Sequence, residues 1–222
     1  MDYLVNFGDS WAAGNNLENP IQQAYSNLLS QQLGIYCLDF AVGATSLPHL
    51  ILQFQNFIDT RYHPKHRYHA LFFLTARART FLYNNSTDEI IHCSPQTAIT
   101  GGPQENAYYR CYTDSLGDFN LNVTVLALQR LCSLYNINDY YMFGWETVPL
   151  WKSVDANKFY NNGEFAITRE FYPEHEHRSL QELINDKNPC VWTLAQSGHP
   201  TKSGHEKIAK ALGKMIKIID TK

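Results

Sequence analysis

Apolar residues in the first third of this 222-residue chain alternate between short unbroken runs and stripes at helical spacing. The run Tyr3-Leu4-Val5-Asn6-Phe7 reads as a buried strand and breaks directly into Gly8-Asp9-Ser10-Trp11-Ala12-Ala13-Gly14. Asn19-Pro20 then offers an N-cap and a first-turn proline. Ile21, Ala24, Tyr25, Leu28 and Leu29 recur at helical spacing, and Gly34 closes that helix. Tyr36 to Ala41 forms a second strand. A helix follows from Leu47, because Leu47, Leu50, Ile51, Phe54 and Ile58 make one stripe that can lie on a sheet. Ala70 to Leu74 is a third strand, and the order strand, helix, strand argues for parallel pairing.

The pattern blurs beyond this point. Asn84 to Asp118 is polar, contains Asn84-Asn85 and Gly101-Gly102-Pro103, and reads as an insertion over a site, at about 84–118. Its tyrosines Tyr108, Tyr109 and Tyr112 either pack over a substrate or anchor the loop to the body. Leu121, Val125, Leu128, Cys132 and Tyr135 predict the next amphipathic helix, and Asp139 to Phe143 the fourth strand. Between 146 and 198 only a short helix at Ser179 to Ile184 and a weak strand candidate, Phe165-Ala166-Ile167, can be read. The final helix is clearer. Ser203 and Glu206 form a capping-box pattern, and Ile208, Leu212, Met215, Ile216 and Ile219 form its buried stripe.

Composition narrows the class. With 44% hydrophobic and 18% charged residues the chain has a globular balance, and its length suits one domain spanning 1–222. A net charge of −3 offers no electrostatic footprint for nucleic acid. The start, Met1-Asp2-Tyr3-Leu4, has neither the basic nor the apolar region of a secretory signal, and no run approaches the roughly 18 to 20 apolar residues of a membrane span. A cytoplasmic or otherwise soluble location is expected. The five cysteines, Cys37, Cys93, Cys111, Cys132 and Cys190, are odd in number, show no C-x-x-C spacing, and read as free thiols. His63, His66 and His69, and the run Glu174-His175-Glu176-His177, contain metal-ligand types. Pro64 breaks a helix through the first set, and neither shows the tight Cys and His pairing of a zinc site, so no metal and no cofactor are expected.

The candidate chemistry lies at the two ends of the chain. In open α/β sheets ligands bind outside the carboxyl ends of the strands, which makes Ser10 the candidate nucleophile. A serine hydroxyl needs a base to take its proton, and histidine, with a pKa near 7, is the usual one. Of nine histidines, His199 sits in the Gly- and Pro-punctuated loop Ser197-Gly198-His199-Pro200 before the final helix, free to face a site. Asp9 has a short acceptor side chain suited to a tight turn and is assigned no proton transfer. His205, in the first turn of the final helix, reads as a surface residue.

Taken together, Gly8-Asp9-Ser10 with Gly14, and His199-Pro200 before the last helix, resemble the GDSL or SGNH family of serine esterases and lipases. The resemblance implies a flavodoxin-like three-layer α/β/α sandwich with a parallel sheet of about five strands. It also implies that the backbone N–H groups of Ser10 and Gly43 bind the oxyanion. Two positions depart from the family pattern. The triad acid, three residues before the histidine, is replaced by Gln196, which can orient the imidazole through its oxygen but carries no charge. The Gly-x-Asn-Asp motif after the third strand is replaced by Thr75-Ala76-Arg77-Ala78-Arg79-Thr80, leaving Thr75 or Arg77 as substitute oxyanion donors. The implied activity is hydrolysis of a short-chain acyl ester, acetyl on a sugar among the candidates, on a small-molecule or carbohydrate substrate. The alternative is a non-catalytic module that uses Arg77, Arg79 and the tyrosines to bind a carbohydrate or an anion.

Overall fold

The computed structural model describes residues 1–84, 87, 89–94, 102–167 and 199–220, the last four through their backbone. In chain order its elements are β1 (Asp2–Phe7), α1 (Pro20–Gln23), α2 (Tyr25–Leu33), β2 (Tyr36–Asp39), α3 (His49–Thr60), β3 (Arg67–Leu74), β4 (Thr80–Asn84), β5 (Glu89–Cys93), α4 (Pro103–Cys111), α5 (Asp114–Leu134), β6 (Asn138–Phe143) and α6 (Lys202–Asp220).

The four apolar strands form one parallel sheet in the order β2-β1-β3-β6. Strands covered on both faces need apolar residues at every position, which is why β3 is buried from Tyr68 to Leu74 without alternation. Successive side chains take opposite faces. Leu4, Leu71, Phe73, Tyr140 and Met142 pack with Tyr25 and Leu29 of α2 and with Ile208, Leu212 and Ile216 of α6. Val5, Phe7, Phe72, Tyr141 and Phe143 pack on the other side with Leu50, Phe54 and Phe57 of α3 and Leu121, Val125 and Leu128 of α5. The result is the expected three-layer α/β/α sandwich. Phe72 stacks on Phe7 at 4.8 Å and on Tyr141 at 5.0 Å between ring centroids, so truncating it to Ala should cost about 3–5 kcal/mol.

The sheet has four strands among the described residues, against the expected five. The weak strand candidate contributes one parallel bridge, Ala166 to Phe143, and Phe159 makes another to Tyr141. Asn161 and Asn162, at φ 47° and 53°, take left-handed conformations between the two bridges, so the chain there is not an extended run.

Other departures have local causes. The first helix is broken at Ala24, which is extended (φ −65°, ψ 144°), and Asn19 makes no side-chain cap. The break frees the Tyr25 N–H to bond outside the helix, while Gly34 closes α2 in the left-handed region as expected. The described parts of the polar region carry regular elements. Thr80–Asn84 and Glu89–Cys93 pair as an antiparallel hairpin, Pro103 opens α4, and α5 begins seven residues before Leu121, where the Thr113 side chain accepts from the Leu116 N–H. β3 extends back to Arg67, three residues before the expected start at Ala70, so Tyr68 and His69 are buried strand residues. The last helix is capped by Thr201, whose hydroxyl accepts from the Gly204 N–H, not by Ser203.

Cys37, Cys93, Cys111 and Cys132 are free thiols. Cys190, Gln196, the Glu174–His177 run and the helix read at 179–184 lie outside the described residues. Among the described residues no helix is long and apolar enough to cross a membrane.

Candidate active site

The order β2-β1-β3-β6 reverses direction between β1 and β3, and in such sheets the crevice outside the carboxyl ends of the strands at that point is where ligands bind. Two loops flank it, residues 8–15 after β1 and residues 75–79 after β3.

Gly8 starts the first loop where only a glycine fits, since a Cβ there would stand 2.5 Å from the Ala12 Cβ and 2.8 Å from the Phe73 Cβ. Its N–H donates to Gln53 Oε1 at 3.0 Å and its carbonyl accepts from Gln53 Nε2 at 2.9 Å. The same Nε2 donates to Thr45 Oγ1 at 2.8 Å. A buried glutamine from α3 therefore ties the loop after β1 to the loop after β2, which contains Gly43. The chain then coils back: the Ala13 N–H donates to the Asp9 carbonyl and the Asn15 N–H to the Ser10 carbonyl.

Ser10 and His199, 189 residues apart in sequence, meet here, with the imidazole Nε2 2.9 Å from the serine Oγ. Gly43 adjoins them, since a Cβ on it would lie 3.9 Å from the Ser10 Cβ. Ala44, the next residue, adopts φ 62°, a strained conformation for a residue with a side chain. Among the described residues no acceptor takes up the backbone N–H of either Ser10 or Gly43. Two free donors thus border the serine hydroxyl.

Asp9 is fully buried and its carboxylate is saturated by the protein. Oδ1 accepts from the Trp11 N–H at 2.9 Å; Oδ2 accepts from the Thr75 hydroxyl at 2.8 Å and from Arg79 Nη1 at 2.9 Å. The Arg79 guanidinium also lies 5.8 Å over the Trp145 ring, which packs against Trp11 at 4.3 Å. Arg77 is ion-paired with Asp114 at 3.0 Å, Asp118 at 2.5 Å and Glu146 at 3.3 Å. Thr75 and both arginines are therefore committed to carboxylates. Tyr109 donates to the Ala78 carbonyl at 3.0 Å, and Tyr108, Tyr109 and Tyr112 pack on one another, fastening α4 to this loop.

His205 corrects the surface expectation. It is fully buried, stacks on Tyr25 at 5.7 Å, and its Nδ1 accepts the Tyr25 N–H that the break at Ala24 released. Burial, aided by the nearby His199, pushes its pKa down to about 4. His69 faces the Tyr140 hydroxyl at 3.3 Å inside the sheet, while His66 packs on Tyr3 and His63, so the three histidines of that stretch do not converge. Sequence reasoning missed Gln53 and the pairing of Asp9 with Arg79; neither has a local signal, because their partners come from other elements.

No protein-family model matches the sequence, and no curated protein sequence matches it. Solved structures do. A protein assigned to the lipolytic G-D-S-L family from Desulfitobacterium hafniense superposes with a TM-score of 0.50 at 12% identity, covering 96% of this chain and 98% of that one. The psychrotrophic esterase EstA from a Pseudoalteromonas species, in a form inhibited by monoethylphosphonate, covers 100% of this chain and 99% of its own at a TM-score of 0.49 and 12% identity. The chain thus has the fold of the G-D-S-L, or SGNH, lipolytic proteins, carried by a sequence that shares about one residue in eight with the first of them.

Proposed function

We propose that this chain is a diverged SGNH-type serine hydrolase that cleaves short-chain acyl esters through an acyl-enzyme. The observation that carries the reading is the 2.9 Å approach of His199 Nε2 to Ser10 Oγ at the switch point of a parallel sheet. With its proton on Nδ1, His199 accepts the Ser10 hydroxyl proton at Nε2 as Oγ attacks the ester carbonyl. The N–H groups of Ser10 and Gly43 receive the oxyanion, each such donor being worth about 10²–10³ in rate. Collapse breaks the bond to the alcohol oxygen, which takes the proton from Nε2. Water then repeats the cycle on the acyl-enzyme, and the acid leaves.

Gln196 is the candidate that accepts from the His199 Nδ1–H. A neutral amide cannot stabilise the imidazolium, and loss of the charged partner in a related triad costs about 10⁴, so turnover is expected to be slow. The substrate is expected to be a small-molecule or carbohydrate ester with an acetyl-sized acyl group. The alternative of anion binding needs free cations in the crevice; Arg77 and Arg79 are both neutralised by carboxylates, which favours the hydrolase.

The test is hydrolysis of a chromogenic acetate ester by wild type and by Ser10→Ala. Hydrolysis that disappears in the variant supports the reading, and equal rates in the two proteins end it.

A further inference from the structure

The loop that delivers the nucleophile also delivers an uncommitted side-chain amide. The hydrogen bond from the Asn15 N–H to the Ser10 carbonyl, 3.0 Å long, folds the chain so that Asn15 returns over Ser10. Its Nδ2 stands 3.2 Å from the point where a side chain on Gly43 would begin, and that same point is 3.9 Å from the Ser10 Cβ. The amide, the Gly43 backbone and the serine side chain therefore converge on one small space. Among the described residues the Asn15 amide has no hydrogen-bond partner, and the residue is exposed. The absence of a Cβ at Gly43 is what leaves it room, since a side chain there would press on Nδ2.

We infer that Asn15 is a third oxyanion donor, its Nδ2–H directed at the charge that develops when Ser10 is acylated; the inference rests on the acyl-transfer reading above. An amide suits this task. It donates without carrying charge, needs no proton movement, and its alignment matters only once the carbonyl oxygen has become an oxyanion, so its contribution falls on the transition state rather than on substrate binding. The loop after β3 cannot do this work, because the Thr75 hydroxyl and the Arg77 guanidinium are taken up by carboxylates.

The test compares wild type, Asn15→Ala and Asn15→Asp in steady-state hydrolysis of a chromogenic acetate ester. It adds the rate at which a phosphonate ester modifies Ser10, followed by mass spectrometry, and the melting temperature. Asn15→Ala is expected to lower kcat and kcat/KM together by about 10²-fold, the lower end for one such donor, with KM and melting temperature unchanged. Asn15→Asp, which sets a negative charge against the oxyanion, should lose more than Asn15→Ala. Phosphonylation should slow in step with kcat/KM. An Asn15→Ala enzyme within twofold of wild type, or one whose loss lies in KM or in melting temperature, overturns the assignment while leaving the hydrolase reading intact. A wild type that neither hydrolyses esters nor accepts phosphonate on Ser10 overturns both.

Discussion

The loops after β1 and β3 flank the same crevice and use polar residues in opposite ways. Residues 8–15 keep their reactive groups open: a serine hydroxyl facing an imidazole, and a backbone N–H and an amide without partners among the described residues. Residues 75–79 spend theirs on the protein, with Thr75 and Arg79 saturating Asp9 and Arg77 bridging three carboxylates. Asp9 joins the two, since it precedes Ser10 in one loop and is gripped by the other. On the proposed function, one loop is therefore chemical and the other structural. The bonds of the second loop to Asp9 hold the first in place, and on the proposed chemistry a nucleophile needs a positioned base more than it needs additional charges nearby.

That contrast can be broken most forcefully at Ser10. Ser10→Ala and His199→Ala should each lower ester hydrolysis by at least about 10³-fold while leaving the urea midpoint unchanged, as expected of groups that act only in the reaction. Asp9→Leu should show the reverse bias. It strands the largely buried Arg79 guanidinium, so urea unfolding should report a loss of about 3–5 kcal/mol, with activity falling as the loop loosens.

A third prediction concerns pH. His205 has a folded pKa of about 4 against an ordinary 6.5, so below pH 6.5 the unfolded chain takes up a proton that the folded chain refuses. The contribution of His205 to stability is therefore full above about pH 6.5 and declines by about 1.4 kcal/mol per pH unit, to a total near 3 kcal/mol, as pH falls to about 4, and His49 and His92, also lowered by burial, act in the same direction. Urea titrations at intervals between pH 7 and 4 should show at least this slope, and a folded His205→Gln variant should make it shallower. Within the structural loop, Thr75→Val removes one donor to a buried carboxylate and should cost about 1–3 kcal/mol. Arg77→Gln should cost least, about 1 kcal/mol or less, because all three of its carboxylate partners are at least a third exposed. If Arg77→Gln abolished activity with stability intact, the division of labour between the loops would be wrong.

Much of this architecture was legible because it is local. The strands β1, β3 and β6 and the stripe of α3 announce themselves by period, and Ser10, Gly43 and His199 lie beside strand ends or helix starts. What escaped the sequence depends on distant partners. Thr75 and Arg77 looked like free donors until Asp9, Asp114, Asp118 and Glu146 were brought against them, and His205 looked exposed because nothing near it in sequence reveals Tyr25 above its ring. The hairpin β4–β5 was hidden for a related reason: the polar sequence around Asn84-Asn85 reads as loop unless the flanking residues are weighed as a pair that satisfies each other's backbone.

The separation of Ser10 from His199 by 189 residues has a consequence for how the chain comes to life. During synthesis Ser10 emerges from the ribosome long before His199, which is brought to it only when α6 docks on α2, where His205 receives the Tyr25 amide. On the proposed chemistry, assembly itself is the on-switch: an unfinished or C-terminally clipped chain holds the hydroxyl but no means of activating it.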